Sequence, residues 1–406
     1  MKPPLLLLAT MDTKGLEALY LRDRLGDLGA KPLLMDLSMK HGDPSVTCDV
    51  PCGEVAEAGG STLEAVAGSK DMTTNMEIMT SGAASIARRL VDEGRVMGVI
   101  ALGGCTGTLM ITEVFQGLPF GLPKVMVSSA AAQPGLSTQF MRTSDIMLFH
   151  SVVEISGLSA PVRNVLDRAA CAVVAMVKGP VVQPFFDKER AIAMTMMSPC
   201  EMTARSVRLA LEREGFQVIG FHANGIGDRA FEEMVASGLF HGVIDLAPGA
   251  VGEHLYGYMR DAGSLRLESA GRMAIPQVIS TCGVNHATPS KSRTPAKLWT
   301  GRKYDLDRFR TWLRVSIDEL RQISEAFAEK LNGSKGPVKV LVPLKGWSSV
   351  DSPGSPTYDP DEDALFVAGL KNMLKKEIEV IEVDANMETP EFARAVIGTS
   401  LEMFRR

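Results

Sequence analysis

The sequence predicts an α/β protein built from two Rossmann-like, doubly wound subdomains with mainly parallel sheets. Three observations lead to this fold class. Apolar runs of strand length alternate with amphipathic segments of helix length. Two of the runs pass directly into glycine-containing turns followed by helices, at residues 99–108 and 217–229. The alternation also restarts after a stretch interrupted by Gly179-Pro180 and Gln183-Pro184, so we place the subdomains at residues 1–182 and 183–406.

Composition excludes several function classes. The chain has 406 residues, of which 45% are hydrophobic and 22% charged, as in ordinary globular proteins. Its formal net charge of −5 argues against a general nucleic-acid or anionic-membrane binder. No apolar run approaches the roughly 20 residues that span a bilayer. The six cysteines are dispersed rather than arranged as a disulfide framework, which predicts a reduced, cytoplasmic protein.

The N-terminal subdomain begins with a buried strand at residues 5–9, a polar turn and a helix. Asp12 and Thr13 are expected to cap that helix by accepting from its free N–H groups. In an alternative interpretation, Lys14 pairs with a phosphate and Asp12 holds Mg²⁺ at the carboxyl end of the first strand. A second strand at 31–37 precedes a segment, 42–72, that we expect to be partly loop.

The central motif runs from a strand at 99–102 through Gly103-Gly104-Cys105-Thr106-Gly107-Thr108 into a helix. Glycines let the backbone reach positive φ and let a ligand approach, while free N–H groups at a helix start favour an anion such as phosphate. The spacing matches neither the complete dinucleotide fingerprint nor Walker A, so a glycine turn that only packs helix on strand is the alternative. The next strand ends in Ser128-Ser129, which the fold places at the same rim.

The C-terminal subdomain repeats this design at residues 221–229, where His222, Asn224 and Arg229 join two glycines. We expect His150, inside an apolar strand, to be a buried structural histidine. We predict an exposed loop at 287–308, which could carry a lid. One long amphipathic helix is predicted over 308–333. Acidic residues at 359–363 are predicted to cap a following helix.

Several sequence blocks, in order, resemble a known family. They are ATMDTKGLE, LGGCTGT, LPFGLPKVMVSS, SDIMLFHSVVEISGL, FHANGIGDRA, IPQVIS and VPLKGWSSVDSPGSPTYDPDEDALF. The chain resembles the N-terminal ATP-binding domain of the plant tobamovirus-resistance protein and its bacterial relatives. The resemblance implies two Rossmann-like subdomains, a nucleotide held mainly at the first, and dimer formation.

The chain also departs from that family. Cys105 and Thr106 stand where the family has the smaller Ser and Gly. Asn224 and Asp228 alter the second glycine loop, and Asp228 adds negative charge beside an expected anion site. Asn386 replaces a usual His. These changes indicate a divergent subgroup.

The leading hypothesis is a cytoplasmic homodimer or higher homo-oligomer that binds ATP and Mg²⁺, with Asp12 as the metal ligand. The residues predicted to hold the nucleotide are Asp12, Thr13, Lys14, Gly103, Gly104, Thr106, Gly107, Thr108, Ser128 and Ser129. If the protein is an ATP-dependent enzyme, Lys14 stabilises phosphate charge, and His222 and Arg229 act as base and anion clamp on a small molecule in a cleft between the subdomains.

Three alternatives stay open at this point. The first is a nucleotide-responsive, partner-binding protein without turnover. The second is an enzyme that takes a small phosphorylated or organic-acid ligand instead of ATP. In the third, the Cys105 thiol, at a helix start, acts as a nucleophile.

Overall fold

The structure is a computed structural model that describes residues 2–40, 46–180, 185–289 and 302–405. The chain divides into two compact units, Met1–Pro184 and Phe185–Arg406. The predicted boundary between residues 182 and 183 lies outside the described residues. Within the described part, no helix is both long enough and apolar enough to cross a membrane.

The N-terminal unit is a five-stranded parallel sheet with helices on both faces. Its strands are β1 (Pro4–Ala9), β2 (Lys31–Asp36), β3 (Val99–Gly103), β4 (Lys124–Ser128) and β5 (Met147–His150), and its helices are α1 (Met11–Asp27), α2 (Cys52–Ala58), α3 (Leu63–Gly68), α4 (Met72–Asp92), α5 (Cys105–Gln116), α6 (Ser137–Met141) and α7 (Ala160–Lys178). The strand order is β2-β1-β3-β4-β5.

Alternation along the strands builds two cores, one on each face of this sheet. Leu6 and Leu8 pack with side chains of α4 and α5, whereas Leu5 and Leu7 pack with side chains of α1 and α7. All four leucines are fully buried. A strand covered on both faces therefore reads as a continuous apolar run, which is why residues 5–9 carry no polar position.

The winding of the sheet reverses at β1. The chain goes from β1 to β2 on one side and then returns to place β3 on the other side. In open parallel sheets of this order, ligands bind outside the carboxyl ends of the strands, at the point of reversal. The turns that follow β1 and β3 flank that point.

The C-terminal unit contains a six-stranded parallel sheet and a small antiparallel one. Its strands are β6 (Ala191–Met196), β7 (Gln217–His222), β8 (Gly242–Asp245), β9 (Gln277–Ile279), β10 (His286–Ala287), β11 (Lys303–Asp305), β12 (Thr311–Arg314), β13 (Val338–Pro343) and β14 (Glu379–Val383), and its helices are α8 (Glu201–Arg213), α9 (Ile226–Ala236), α10 (Ala250–Tyr256), α11 (Ser269–Arg272), α12 (Ile317–Asn332), α13 (Pro360–Met373) and α14 (Pro390–Phe404).

The large sheet has the order β14-β13-β9-β8-β6-β7, and its winding reverses at β6, between β7 and β8. This repeats the arrangement of the N-terminal unit, so both units have the predicted doubly wound, mainly parallel form. β10, β12 and β11 form the antiparallel sheet.

Two predicted elements differ from the structure. The segment 308–333 is not one helix, because Thr311–Arg314 is the buried central strand β12, and α12 begins only at Ile317 after the capping box of Ser316 and Glu319. The predicted loop 287–308 contributes to strands β10 and β11 at its two ends. Its residues 290–301 lie outside the described part. The segment 42–72, predicted to be partly loop, also contains α2 and α3.

Candidate functional site

The start of α5 presents free backbone donors at the switch point of the N-terminal unit. The helix begins at Cys105, and its N-cap residue, Gly104, provides no side-chain cap. Among the described residues, the N–H groups of Cys105, Thr106 and Gly107 have no acceptor, while Thr108 N donates to Gly104 O at 2.9 Å. Three uncommitted N–H groups at the positive end of a twelve-residue helix form an anion-binding surface.

The glycines of this loop matter because they lack a side chain and not because they adopt positive φ, which corrects the sequence-based expectation. Gly103, Gly104 and Gly107 are not among the residues with positive φ. A Cβ on Gly103 would lie 3.1 Å from the backbone of Gly107, so this glycine permits close packing of strand and helix. A Cβ on Gly104 would meet only Ser129 Oγ, at 4.0 Å. Gly104 therefore leaves open space through which a ligand can approach the backbone.

Thr108 and Ser128 hold the loop in place. Both side chains are fully buried. Their hydroxyls lie 2.7 Å apart, Thr108 Oγ1 donates to Gly104 O at 2.6 Å, and Ser128 Oγ accepts from Ala130 N at 3.0 Å. These bonds connect the end of β4 to the first turn of α5. The structure thus gives Thr108 and Ser128 a positioning role, while Thr106 is exposed at the rim.

Lys14 and Ser129 converge on Glu154, a residue that sequence reasoning missed. Lys14 Nζ donates to Ile155 O and lies 3.4 Å from Glu154 Oε1. Ser129 Oγ donates to the same Glu154 oxygen at 3.3 Å. Glu154 follows β5, so residues from three strand ends meet at this edge. Its position in a loop after an apolar strand was the available signal.

The start of α1 differs from that of α5 because its N–H groups are already bonded. Met11 N donates to Asp36 Oδ1 at 3.1 Å, and Asp12 N donates to Ser38 Oγ at 3.0 Å. Thr13 N and Lys14 N both donate to Thr10 O. The predicted capping by Asp12 and Thr13 is wrong, since the helix begins at Met11 with Thr10 as N-cap.

Asp12 and Thr13 are exposed at this edge. The described residues contain no group of three or more His, Cys, Asp and Glu side chains arranged to hold a metal ion. Magnesium is commonly held by one or two carboxylates together with substrate phosphates, so the single exposed Asp12 carboxylate fits such a shared site.

The second glycine loop is shaped mainly by its own packing. Gly225 has φ of +91°, and Gly227 lies where a Cβ would be 2.1 Å from His222 O. Asn224 Oδ1 accepts from Gly227 N at 2.8 Å. His222 and Asn224 are exposed at the end of β7, an edge strand beside β6. Arg229 is held through Nη2, which donates to Asp261 O at 3.2 Å.

Asp228 belongs to a buried ion cluster and not to an anion site. Its Oδ2 accepts from Gly225 N and its Oδ1 from Arg266 Nε, both at 2.8 Å. The fully buried Arg266 also pairs with Asp245 and Glu232. Burial raises the pKa of Asp228, while Arg266 acts in the opposite direction. The Asp228 charge, expected to lie beside a ligand, is therefore neutralised by Arg266 inside the fold.

His150, predicted to be buried, is exposed at the end of β5.

A closely packed polar cluster that the sequence did not predict lies at the carboxyl edge of the large sheet in the C-terminal unit. We call it the Arg260 cluster; its members are buried and include Met197, Arg260, Gly283, His286, Trp312 and Ser348. Met197 directly follows β6, the strand at which the winding reverses.

A buried carboxylate pair meets at Asn285 in the same unit. Asn285 Nδ2 donates to Asp351 at 2.7 Å and to Asp363 at 3.1 Å, and Arg314 Nη2 donates to Asp363 at 2.6 Å. Burial raises the pKa of Asp363 to about 7, against the opposing effect of Arg314. Asp359 caps α13 through Glu362 N, as predicted for this acidic run.

The fold defines a protein of two Rossmann-like units, with a candidate ligand site at the carboxyl edge of the N-terminal sheet. Residues 3–181 match the N-terminal domain, and residues 189–404 the C-terminal domain, of the Uncharacterised protein family (UPF0261). The chain belongs to this family.

Two relatives illustrate the range of similarity. The chain is 32% identical over 411 residues to a UPF0261 protein of Clostridium tetani (strain Massachusetts / E88), with 100% of both chains covered. It is 30% identical over 322 residues to the ToMV resistance protein Tm-1(GCR237) of Solanum lycopersicum, covering 77% of this chain and 42% of that protein. The resemblance predicted from the sequence blocks is confirmed.

Among solved structures, the chain is similar to a UDP-N-acetylglucosamine 2-epimerase from Rickettsia bellii. The match covers 68% of this chain and 79% of that one, at 8% identity and a TM-score of 0.25. A TM-score this low carries no information about ligand or reaction.

Proposed function

We propose that the protein binds a nucleotide, with ATP as the first candidate, through phosphate contacts at the N-terminal unit. The observation that carries this proposal is the set of three free N–H groups at the start of α5. They lie after β3, one of the two strands that flank the reversal of the sheet. Helix starts at this position of doubly wound folds bind phosphates.

The surroundings of the loop support an anionic ligand. Gly104 leaves open space above the backbone, and Thr108 and Ser128 hold the donors in place. The Lys14 ammonium lies at the same edge, with Glu154 and Ile155 as its partners. A phosphate that approaches Lys14 would compete with Glu154, whose side chain is largely exposed, for that ammonium. The exposed Asp12 carboxylate would share Mg²⁺ with the phosphates.

Isothermal titration of the full chain with ATP and Mg²⁺ tests this proposal. We expect saturable binding that weakens in Gly104→Ala, because the added methyl group enters the ligand's approach while meeting only Ser129 Oγ within the fold. Gly26→Ala is a matched control, since Gly26 lies near the far end of α1 and a Cβ there meets nothing within 4 Å. Absence of heat at millimolar nucleotide would refute the proposal.

Turnover is a separate question. An ATP-dependent enzyme requires hydrolysis or transfer that depends on Lys14, His222 or Arg229, whereas a nucleotide-responsive binding protein requires none. ATPase assays of Lys14→Ala and His222→Ala in parallel with titration separate the two functions.

Homodimer formation stays a prediction, and light scattering coupled to size-exclusion chromatography measures it.

A further inference from the structure

Three donors converge on one oxygen of the Glu154 carboxylate at the carboxyl edge of the N-terminal sheet. Lys14 Nζ lies 3.4 Å from Glu154 Oε1. The same oxygen accepts from Ser129 Oγ at 3.3 Å and from Ile155 N at 3.1 Å. Ammonium, hydroxyl and backbone N–H groups are also the donors that hold phosphate oxygens in proteins. The Glu154 carboxylate therefore has the surroundings of a bound anion.

This carboxylate lies next to the free N–H groups at the start of α5. Ser129 N donates to Gly103 O at 3.3 Å, and a Cβ on Gly104 would meet Ser129 Oγ at 4.0 Å. The Ser129 hydroxyl thus lies between the first residues of α5 and Glu154. A phosphate on those N–H groups would approach the Glu154 carboxylate, and two anions at short distance repel each other.

The backbone around Glu154 is held in place, whereas its side chain projects into solvent. Ile155 is buried in the core shared with α1 and α7, and Gly157 N donates to Oε1 of the buried Glu17 at 2.5 Å. Val152 has φ of +66°, which a β-branched residue adopts only where the surrounding contacts enforce it. The Glu154 side chain is 65% exposed. Its carboxylate can leave its ammonium partner at little cost, because exposed ion pairs contribute little to stability.

The Lys14 ammonium is positioned to receive another anion. Lys14 interrupts the regular geometry of α1, with φ of −128° and ψ of 22°. Its Nζ also donates to Ile155 O, and its side chain is only 15% exposed. If the Glu154 carboxylate leaves, the ammonium keeps this neutral carbonyl and loses its anionic partner. A phosphate oxygen would restore the charge balance.

We propose that Glu154 is a built-in competitor of the anionic ligand. Its carboxylate occupies the position on Lys14 and Ser129 that a phosphate group takes on binding, so that binding exchanges one anion for the other. This inference rests on the phosphate contacts proposed above for the start of α5. The ligand class that suits the exchange is a chain of linked phosphates, because such a chain contacts the α5 N–H groups and Lys14 together. A single phosphate on the N–H groups leaves Glu154 in place and is repelled by it.

Isothermal titration of the full chain with ATP and with inorganic tripolyphosphate, at one fixed Mg²⁺ concentration, tests the exchange. Glu154→Gln removes the charge and keeps an oxygen acceptor on an exposed side chain, so this variant should fold as the wild type does. We expect it to bind both probes about three- to tenfold more tightly, because the charged group that the ligand has to displace is gone.

Glu93→Gln is the matched control, and it should leave both affinities unchanged. Glu93 is an exposed carboxylate that pairs with Arg95. It lies at the end of α4, before β3 begins, and so toward the amino edge of the same sheet. The control therefore removes the same charge at a distance from the proposed site, where salt screens its effect.

A double-mutant cycle identifies Lys14 as the group that the exchange releases. In a Lys14→Met background, Glu154→Gln should tighten binding by less than about twofold, because the ammonium for which the two anions compete is absent. An equal gain with and without Lys14 would overturn the exchange.

The outcomes separate this inference from nucleotide binding itself. If the wild type binds ATP and Glu154→Gln binds no more tightly than Glu93→Gln, the exchange is overturned and nucleotide binding stands. Weaker binding by Glu154→Gln would also overturn it and would indicate that Glu154 supports the ligand. Tighter binding of tripolyphosphate without any binding of ATP would support the exchange and refute the nucleotide. Absence of heat with both probes in every variant would overturn both proposals.

Discussion

Replacing Cys105 by proline removes one of the three free N–H groups of α5 and little else. Cys105 is the first residue of the helix, where proline is tolerated because that N–H has no intrahelical acceptor. Gly104 before it has φ of −79° and ψ of −159°, an extended conformation compatible with a following proline. We therefore expect Cys105→Pro to fold with an unchanged unfolding midpoint.

The binding loss follows from the lost donor. A hydrogen bond to a charged group contributes about 1.5–3 kcal/mol, so ATP affinity should fall by about 10- to 150-fold. Cys105→Ser is the control, because it keeps the backbone donor and exchanges only the thiol. Isothermal titration with ATP and Mg²⁺ measures both variants. Equal affinities of Cys105→Pro and Cys105→Ser would refute the role of the N–H group, and loss of turnover in Cys105→Ser alone would instead indicate a reactive thiol.

Three further perturbations test the structural roles assigned above. Thr108→Val should lower the free energy of unfolding by about 1–3 kcal/mol in urea denaturation, because the bonds of its hydroxyl to Gly104 O and to Ser128 Oγ are both lost. Arg266→Met should cost at least about 3 kcal/mol, or abolish folding, by leaving three carboxylates buried without a cation, and circular dichroism would detect it. The difference in unfolding free energy between wild type and Asp363→Asn should shrink as pH rises from about 4 to 7. Unfolding measured at several pH values in that range tests this. The raised pKa of Asp363, about 7 against 3.8, makes the folded wild type retain a proton that the unfolded chain has lost, so wild-type stability falls across that window. A pH-independent difference would contradict this assignment.

Much of the fold was predictable because it rests on local patterns. Continuous apolar strands, helices of amphipathic spacing and glycine turns indicated two doubly wound units. The exceptions are instructive. Thr311–Arg314 pairs with strands on both sides, and long-range pairing overrode the helical reading of that segment. His150 ends a strand whose last position faces solvent, which an apolar neighbourhood in the sequence could not indicate.

The sequence by itself determined where glycine loops follow strands, since a turn between strand and helix is a property of adjacent residues. Only the tertiary structure decided which loops retain free donors. The N–H groups of Met11 and Asp12 are taken by Asp36 and Ser38, 25 and 26 residues away, whereas those at the start of α5 are not. Asp228 acquires its partner Arg266 from 38 residues further along the chain. Hydrogen-bond satisfaction depends on contacts between distant segments, and those contacts exist only after the strands have paired.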